Sequence, residues 1–256
     1  MISYFLNSII QILANSVKTS ILKNLQLLTY NLQLLTLGIA ELNEETQTLT
    51  ISAHLYFYGN AANEEISFQA GADIKTHWNI AGAHARIKEK SYKVLFNVKG
   101  LYKQDLSQTE VISNDDPRNN YFRIEDYASG NISFVDGIGS NTGYFKLDNL
   151  LNNSTTAAHE FGHTLGLLHP EQLDIRGKGV PGIMYPRGTV CDPMFQYDPN
   201  AAPLAPGGTM NPFYRKVLQK DIDDLHLNKL RFNKDGRAVI GEFTSVWHYA
   251  HTAPQD

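Results

Sequence analysis

The spacing of hydrophobic positions changes several times along the chain, and each change marks an element. Residues 1–40 carry a tandem repeat, "NLQLLTY" (24–30) and "NLQLLTL" (31–37). In it Leu25, Leu28, Leu32 and Leu35 follow a/d heptad spacing while Leu27 and Leu34 widen the apolar face. The same letters alternate as a strand would, so periodicity leaves helix and strand both open. From residue 48 the signals are cleaner. "LTISAHLYFYG" (49–59) is rich in β-branched and aromatic residues and ends on glycine, which predicts a strand. Residues 63–81 open on Asn63-Glu64-Glu65, a helix start, and place Ile66, Ala70, Ile74 and Trp78 on one face.

Residues 83–102 predict two strands or one long bent one, and "NNYFRIEDYA" and "GNISFVDG" predict further strands. A second helical stretch is expected over 145–168 and a third over 215–230, the latter with Val217, Leu218, Ile222, Leu225 and Leu230 apolar. Between them, 170–216 is rich in proline and glycine ("GKGVPG", "AAPLAPGG") and predicts a long irregular segment of the kind that carries function. The last stretch suggests a hairpin turning at Asp235-Gly236. This order predicts an α+β fold. Residues 1–45 form an apolar N-terminal segment, and residues 46–256 form the main domain, with an upper subdomain (46–166) and a lower one (167–256).

Composition narrows the function. With 42% hydrophobic and 19% charged residues the chain is an ordinary globular one, and its net charge of −4 argues against nucleic acid as a partner. Charge is uneven: residues 1–40 carry +2 with no acid, and the remainder carries −6. That segment can therefore pack on the domain, or contact a membrane, a partner protein or an export machine. As a signal peptide it is unconvincing, because no basic residue precedes the apolar run and Asn7, Ser8 and Gln11 interrupt it. No run of 18 apolar residues predicts a membrane-spanning helix. One cysteine, Cys191, rules out an intramolecular disulfide framework and a multi-cysteine zinc site.

The chemistry concentrates in "HEFGHTLGLLHP" (159–170). On a helix, His159 and His163 lie one turn apart on one face and can aim imidazole nitrogens at one metal ion. Glu160 lies beside that ion rather than on it, placed to take a proton from water. Gly166 can adopt positive φ, letting the chain leave the helix and bring His169 back as a third ligand, and Pro170 discourages re-entry. Three protein ligands with a fourth position open are what catalytic zinc requires. Elsewhere, Asp115, Asp116 and "FVDGIGSN" offer a calcium reading beside the plainer one of solvated turn acids. His248 and His251 have i, i+3 spacing for a second metal, whereas His54, His77 and His84 read as packed or surface residues.

"HEFGHTLGLLH" resembles the metzincin clan of zinc peptidases, which joins H-E-x-x-H-x-x-G-x-x-H to a methionine turn. "GIMYPRG" supplies that turn at Met184, with Met194 and Met210 as alternatives. Pro170 is similar to serralysins, whereas "IMYP" and "VLQKDIDDL" are similar to matrixins; serralysin glycine repeats and the matrixin cysteine motif are both missing. The resemblance implies a twisted, mostly parallel sheet with helices in the upper subdomain, an active-site helix, and an irregular lower subdomain ending in a helix. It further implies a zinc endopeptidase in which His159, His163 and His169 bind Zn2+ and Glu160 is the general base and acid for a zinc-activated water. Gly166 and Met184 support the site, and a protein or peptide substrate pairs with an edge strand from 130–137 or 140–148. The pocket for the residue after the scissile bond is expected between Thr164–Leu168 and 182–190. Such enzymes act mostly outside the producing cell, so a secreted or injected toxin or effector is the expected setting. A zinc amidase on a non-protein substrate and a membrane- or partner-binding protein acting through residues 1–40 are the competing functions.

Overall fold

Strand β2 (Thr48–Tyr58) organises the fold, and its alternating burial follows directly from Leu49, Ile51, Ala53, Leu55 and Phe57 facing one side. In a computed structural model that describes residues 38–253, β2 lies parallel to β4 (Lys90–Tyr102) along one edge. Its other edge is shared in succession. The first half pairs antiparallel with β1 (Ile39–Asn43), and the second half pairs parallel with β5 (Asn119–Glu125). Beyond β5 lies parallel β7 (Thr142–Lys146), and antiparallel β6 (Phe134–Val135) forms the margin. At the opposite margin β3 (His84–Ile87) runs antiparallel to β4, while β8 (Arg237–Val239) pairs with β1. The result is a mixed α+β architecture on a curled, mostly parallel sheet whose antiparallel strands lie at its margins.

Helix α1 (Glu64–Ile80) starts where Asn63 caps it, its side-chain Oδ1 accepting the Ile66 N–H at 2.9 Å. It buries Ala70, Ile74 and Trp78 against the sheet. Close approach to β4 depends on a glycine pair that the hydrophobic pattern does not disclose: a Cβ on Gly71 would lie 2.2 Å from the Gly100 nitrogen. The far end of α1 grips the helix of the histidine motif, α3 (Thr156–Thr164). Trp78 donates its indole N–H to the Ala158 carbonyl at 3.0 Å and packs with Phe96 and Phe161.

Several expectations are corrected. The helix expected over 145–168 occupies only Thr156–Thr164. Residues 142–146 are strand, with Tyr144 and Phe145 fully buried, and Asn152 and Asn153 take left-handed φ of 59° and 58°, which stops a helix from forming across them. The helix expected over 215–230 shrinks to α4 (Gln219–Asp224), because Leu218 is extended and His226 turns left-handed at φ 49°. A short helix α2 (Gln108–Ile112) appears instead under a Ser107–Glu110 capping box. The lower region does not end in a helix. After the turn at Asp235-Gly236 the chain re-enters the sheet as β8, whose partner is β1 rather than a neighbouring hairpin strand. Residues 39–43, assigned from sequence to the N-terminal segment, are thus part of the sheet. The repeat at 24–37 lies outside the described residues, and no described helix is long and apolar enough to cross a membrane.

Residues 240–253 follow the sheet without forming a regular element. Trp247 stacks on Tyr58 at 4.8 Å and His251 on Tyr144 at 4.0 Å, while His248 Nε2 lies 2.9 Å from Asp136. His251 Nδ1 accepts the Ser129 N–H, so the two histidines serve different partners and form no second metal site.

Two outcomes follow from this packing. A Cβ on Gly162 of α3 would lie 2.2 Å from the Met184 sulfur and 3.3 Å from the Trp78 ring. Gly162→Ala is expected to lower unfolding free energy by about 1–3 kcal/mol through overpacking, measured by denaturant titration. Asp221 in α4 is buried and accepts the Leu218 N–H at 2.7 Å, and burial pushes its carboxyl up to about 6. A raised carboxyl favours the folded state most at low pH, and that contribution is lost as pH rises from about 4 through 6, roughly 3 kcal/mol in all. Asp221→Asn is expected to flatten the stability–pH curve across that window, and an unchanged slope would contradict the assignment.

Candidate metal centre

Helix α3 holds two of the three histidines by its own geometry, one turn apart and both buried. It then ends in a Schellman motif. Gly166 takes φ 100°, its N–H bonds the His163 carbonyl at 3.0 Å, and the Leu167 N–H bonds the Gly162 carbonyl at 2.9 Å. This reversal brings His169 back over the helix. Its Nε2 lies 3.1 Å from His159 Nε2 and 3.0 Å from His163 Nε2.

Backbone carbonyls fix the rings. His159 Nδ1 meets the Ile183 carbonyl at 2.7 Å, and His163 Nδ1 meets the Leu167 carbonyl at 2.7 Å. A carbonyl accepts only, so His163 Nδ1 carries the proton and its Nε2 presents a lone pair, while His159 Nδ1 sits between the Ile183 carbonyl and the Arg215 guanidinium, which together turn its Nε2 toward the other two rings. Burial, with the Arg215 charge adding to it, holds all three imidazoles below their ordinary range and therefore neutral at neutral pH. Lone pairs on converging nitrogens repel, and a single proton cannot serve three of them. One cation can. The donor set thus fits a metal ion, and it is the one group of three or more metal-ligating side chains among the described residues.

Ile183 and Met184 form the floor. Met184 is buried in the main core against Gly162, whereas Met210 packs in a separate cluster with Ile175 and Cys191, and Met194 is exposed. Of the three, Met184 is thus the one that packs against the histidine helix. Tyr185 contributes its carbonyl, which accepts from Arg215 Nη1 at 3.1 Å.

Glu160 is buried beside the triad without joining it. Burial raises its carboxyl to about 8, against the opposing pull of the Arg215 charge and the Val135 backbone N–H. Val135 belongs to the marginal strand β6, so the carboxylate lies directly under that edge. Of the two segments expected to supply an edge, 130–137 does so, because β7 within 140–148 is paired on both sides.

Arg215 carries no motif signal. It is 5% exposed, donates from Nε to Thr155 Oγ1 at 2.9 Å, and sets Nη1 2.9 Å from His159 Nδ1. It lies 56 residues along the chain from His159, and no spacing rule connects them. A cavity of about 250 Å³ opens between Thr156 and Glu160 of α3, Ile132 and Ser133 before β6, and Arg187 and Arg215. Of the two segments expected to wall a substrate pocket, 182–190 reaches this cavity through Pro186 and Arg187, and Thr164–Leu168 does not line it. The reason is the reversal at Gly166, which carries Leu168 out into solvent at 68% exposure. No protein-family model matches the chain, and no curated protein matches it.

Proposed function

We propose that the protein is a zinc-dependent endopeptidase of metzincin type. The observation that carries this reading is the convergence of three imidazoles, with His169 Nε2 3.0–3.1 Å from the Nε2 atoms of His163 and His159, beside a buried carboxylate outside that cluster. Three ligands, rather than four, leave a position for chemistry. The positive-φ glycine at the helix exit, the methionine floor and the marginal antiparallel strand above the site support the same reading.

Zinc held by His159, His163 and His169 would supply a Lewis acid to polarise the scissile carbonyl. The chain's own residues do the rest. The Ile183 and Leu167 carbonyls hold the rings with Nε2 turned toward the ion, and the Leu167 carbonyl keeps the proton of His163 on Nδ1. Strand β6 ends the sheet among the described residues, and an extended peptide can pair on it as an added strand. Glu160 takes a proton from the attacking water and returns it to the departing amine as the carbon–nitrogen bond breaks. Burial holds its carboxyl up at about 8, while the Val135 amide and Arg215 pull toward the ionised form that accepts the proton, and a cation held by the histidines would add to that pull.

A digestion of a proteome-derived peptide library, run beside a panel of non-protein amides, tests the substrate class. Peptide cleavage that stops with chelator and returns with zinc is expected. Turnover confined to the amides would overturn the endopeptidase reading in favour of an amidase.

A further inference from the structure

The cavity beside Glu160 holds two arginines, and neither is neutralised. Arg86, Arg118, Arg123, Arg176 and Arg237 each pair with a carboxylate, whereas Arg187 and Arg215, like the exposed Arg231 elsewhere, have none within 4 Å among the described residues. Arg187 lies exposed at the rim and donates only to the Asn149 side-chain oxygen at 3.2 Å. Arg215 is at the floor, 5% exposed, with Nε and Nη1 engaged and no partner for Nη2 among the described residues. Nη2 is the part of the guanidinium that opens to the cavity, so a charged donor with no partner among the described residues faces whatever side chain enters there. The one acid lining the cavity is Glu160, which the proposed chemistry already employs.

Which substrate group reaches this cavity follows from the proton transfer. Glu160 hands its proton to the departing amine, so that amine lies on the Glu160 side of the site. The residue carrying it is the one directly after the scissile bond, and its side chain enters the cavity that Glu160 borders. A volume of about 250 Å³ accommodates a side chain the size of glutamate. A leucine there would cover the guanidinium without pairing it. We infer that the protein selects substrates with aspartate or glutamate immediately after the cleaved bond, with Arg215 receiving the carboxylate at the floor and Arg187 attracting it at the rim. This inference rests on the endopeptidase reading.

Quenched peptides that differ only at that residue test it, with Glu, Gln, Leu and Lys compared on the full zinc-loaded chain. The Glu peptide is expected to exceed the Gln peptide in kcat/KM by roughly tenfold to a hundredfold, because the charge-assisted hydrogen bond from Arg215 Nη2 and the attraction of Arg187 are lost with the amide. Arg187→Gln, an exposed change, should shrink that ratio several-fold, and raising salt should shrink it further. Arg215→Lys should shrink it most, with circular dichroism reporting whether that variant folds. Binding of the same peptides to Glu160→Gln protein, read by fluorescence anisotropy, separates the two levels. Cleavage with Leu preferred, or with Glu and Gln equal, overturns the acidic preference and leaves the peptidase reading intact. Selective binding of the Glu peptide with no cleavage of any peptide by the unmodified protein supports the arginine pocket and overturns the peptidase. Neither cleavage nor selective binding overturns both.

Discussion

Glu160→Gln is expected to abolish peptide hydrolysis, lowering kcat by roughly 10²–10⁴-fold, while the metal content of the protein stays unchanged. Glutamine preserves the side chain's size, so the buried position next to His159 is filled and the triad keeps its geometry. What it removes is the ability to take and return a proton. The carboxyl contributes no ligand atom to the histidine cluster, so metal is expected to stay when it is replaced. Single-turnover assays paired with metal analysis of the same sample check it. Near-normal activity in a metal-loaded Glu160→Gln protein would remove Glu160 from the chemistry. Loss of metal along with activity would make it a ligand or a structural support instead.

The second large effect belongs to the ligands. His163→Ala is expected to reduce bound metal from about one per chain to none and to abolish the stability that metal confers. A ligand that binds only the folded state stabilises it by about 3–4 kcal/mol when free metal exceeds Kd a hundredfold to a thousandfold. Unmodified protein should therefore show a thermal midpoint that falls with chelator, and the variant should show one that chelator does not move. His163 discriminates well because its ring is buried and anchored by the Leu167 carbonyl, so its loss leaves no neighbouring donor to substitute. A variant that retained stoichiometric metal would show that His159 and His169 suffice, and the three-ligand assignment would fail.

Much of the framework is legible in the letters. Period-2 burial along Thr48–Tyr58 and the Asn63 start of α1 appear in the structure because local propensity and tertiary burial agree there. The histidine spacing is legible for the same reason: helix pitch alone places His159 by His163, and a glycine alone explains the return of His169. Helix lengths are less legible. Residues 145–155 are apolar enough to read as helix, yet pairing with β5 takes 142–146 as strand, and Asn152 and Asn153 turn the chain before α3 starts. That Leu168 turns out to solvent after the Gly166 reversal is not legible, because the direction of the chain after a left-handed residue is three-dimensional. Arg215 was invisible, since a buried charge is defined by what surrounds it, and those neighbours come from Thr155, His159 and Tyr185.

These predictions share one premise, that the three imidazoles hold a catalytic ion with no further protein ligand. X-ray absorption at the zinc edge on the purified, zinc-loaded full chain measures it most directly. Three imidazole nitrogens at about 2.0–2.1 Å and no sulfur or fourth imidazole are predicted. A shell of four protein ligands, a sulfur from Cys191, or no stoichiometric zinc would contradict it.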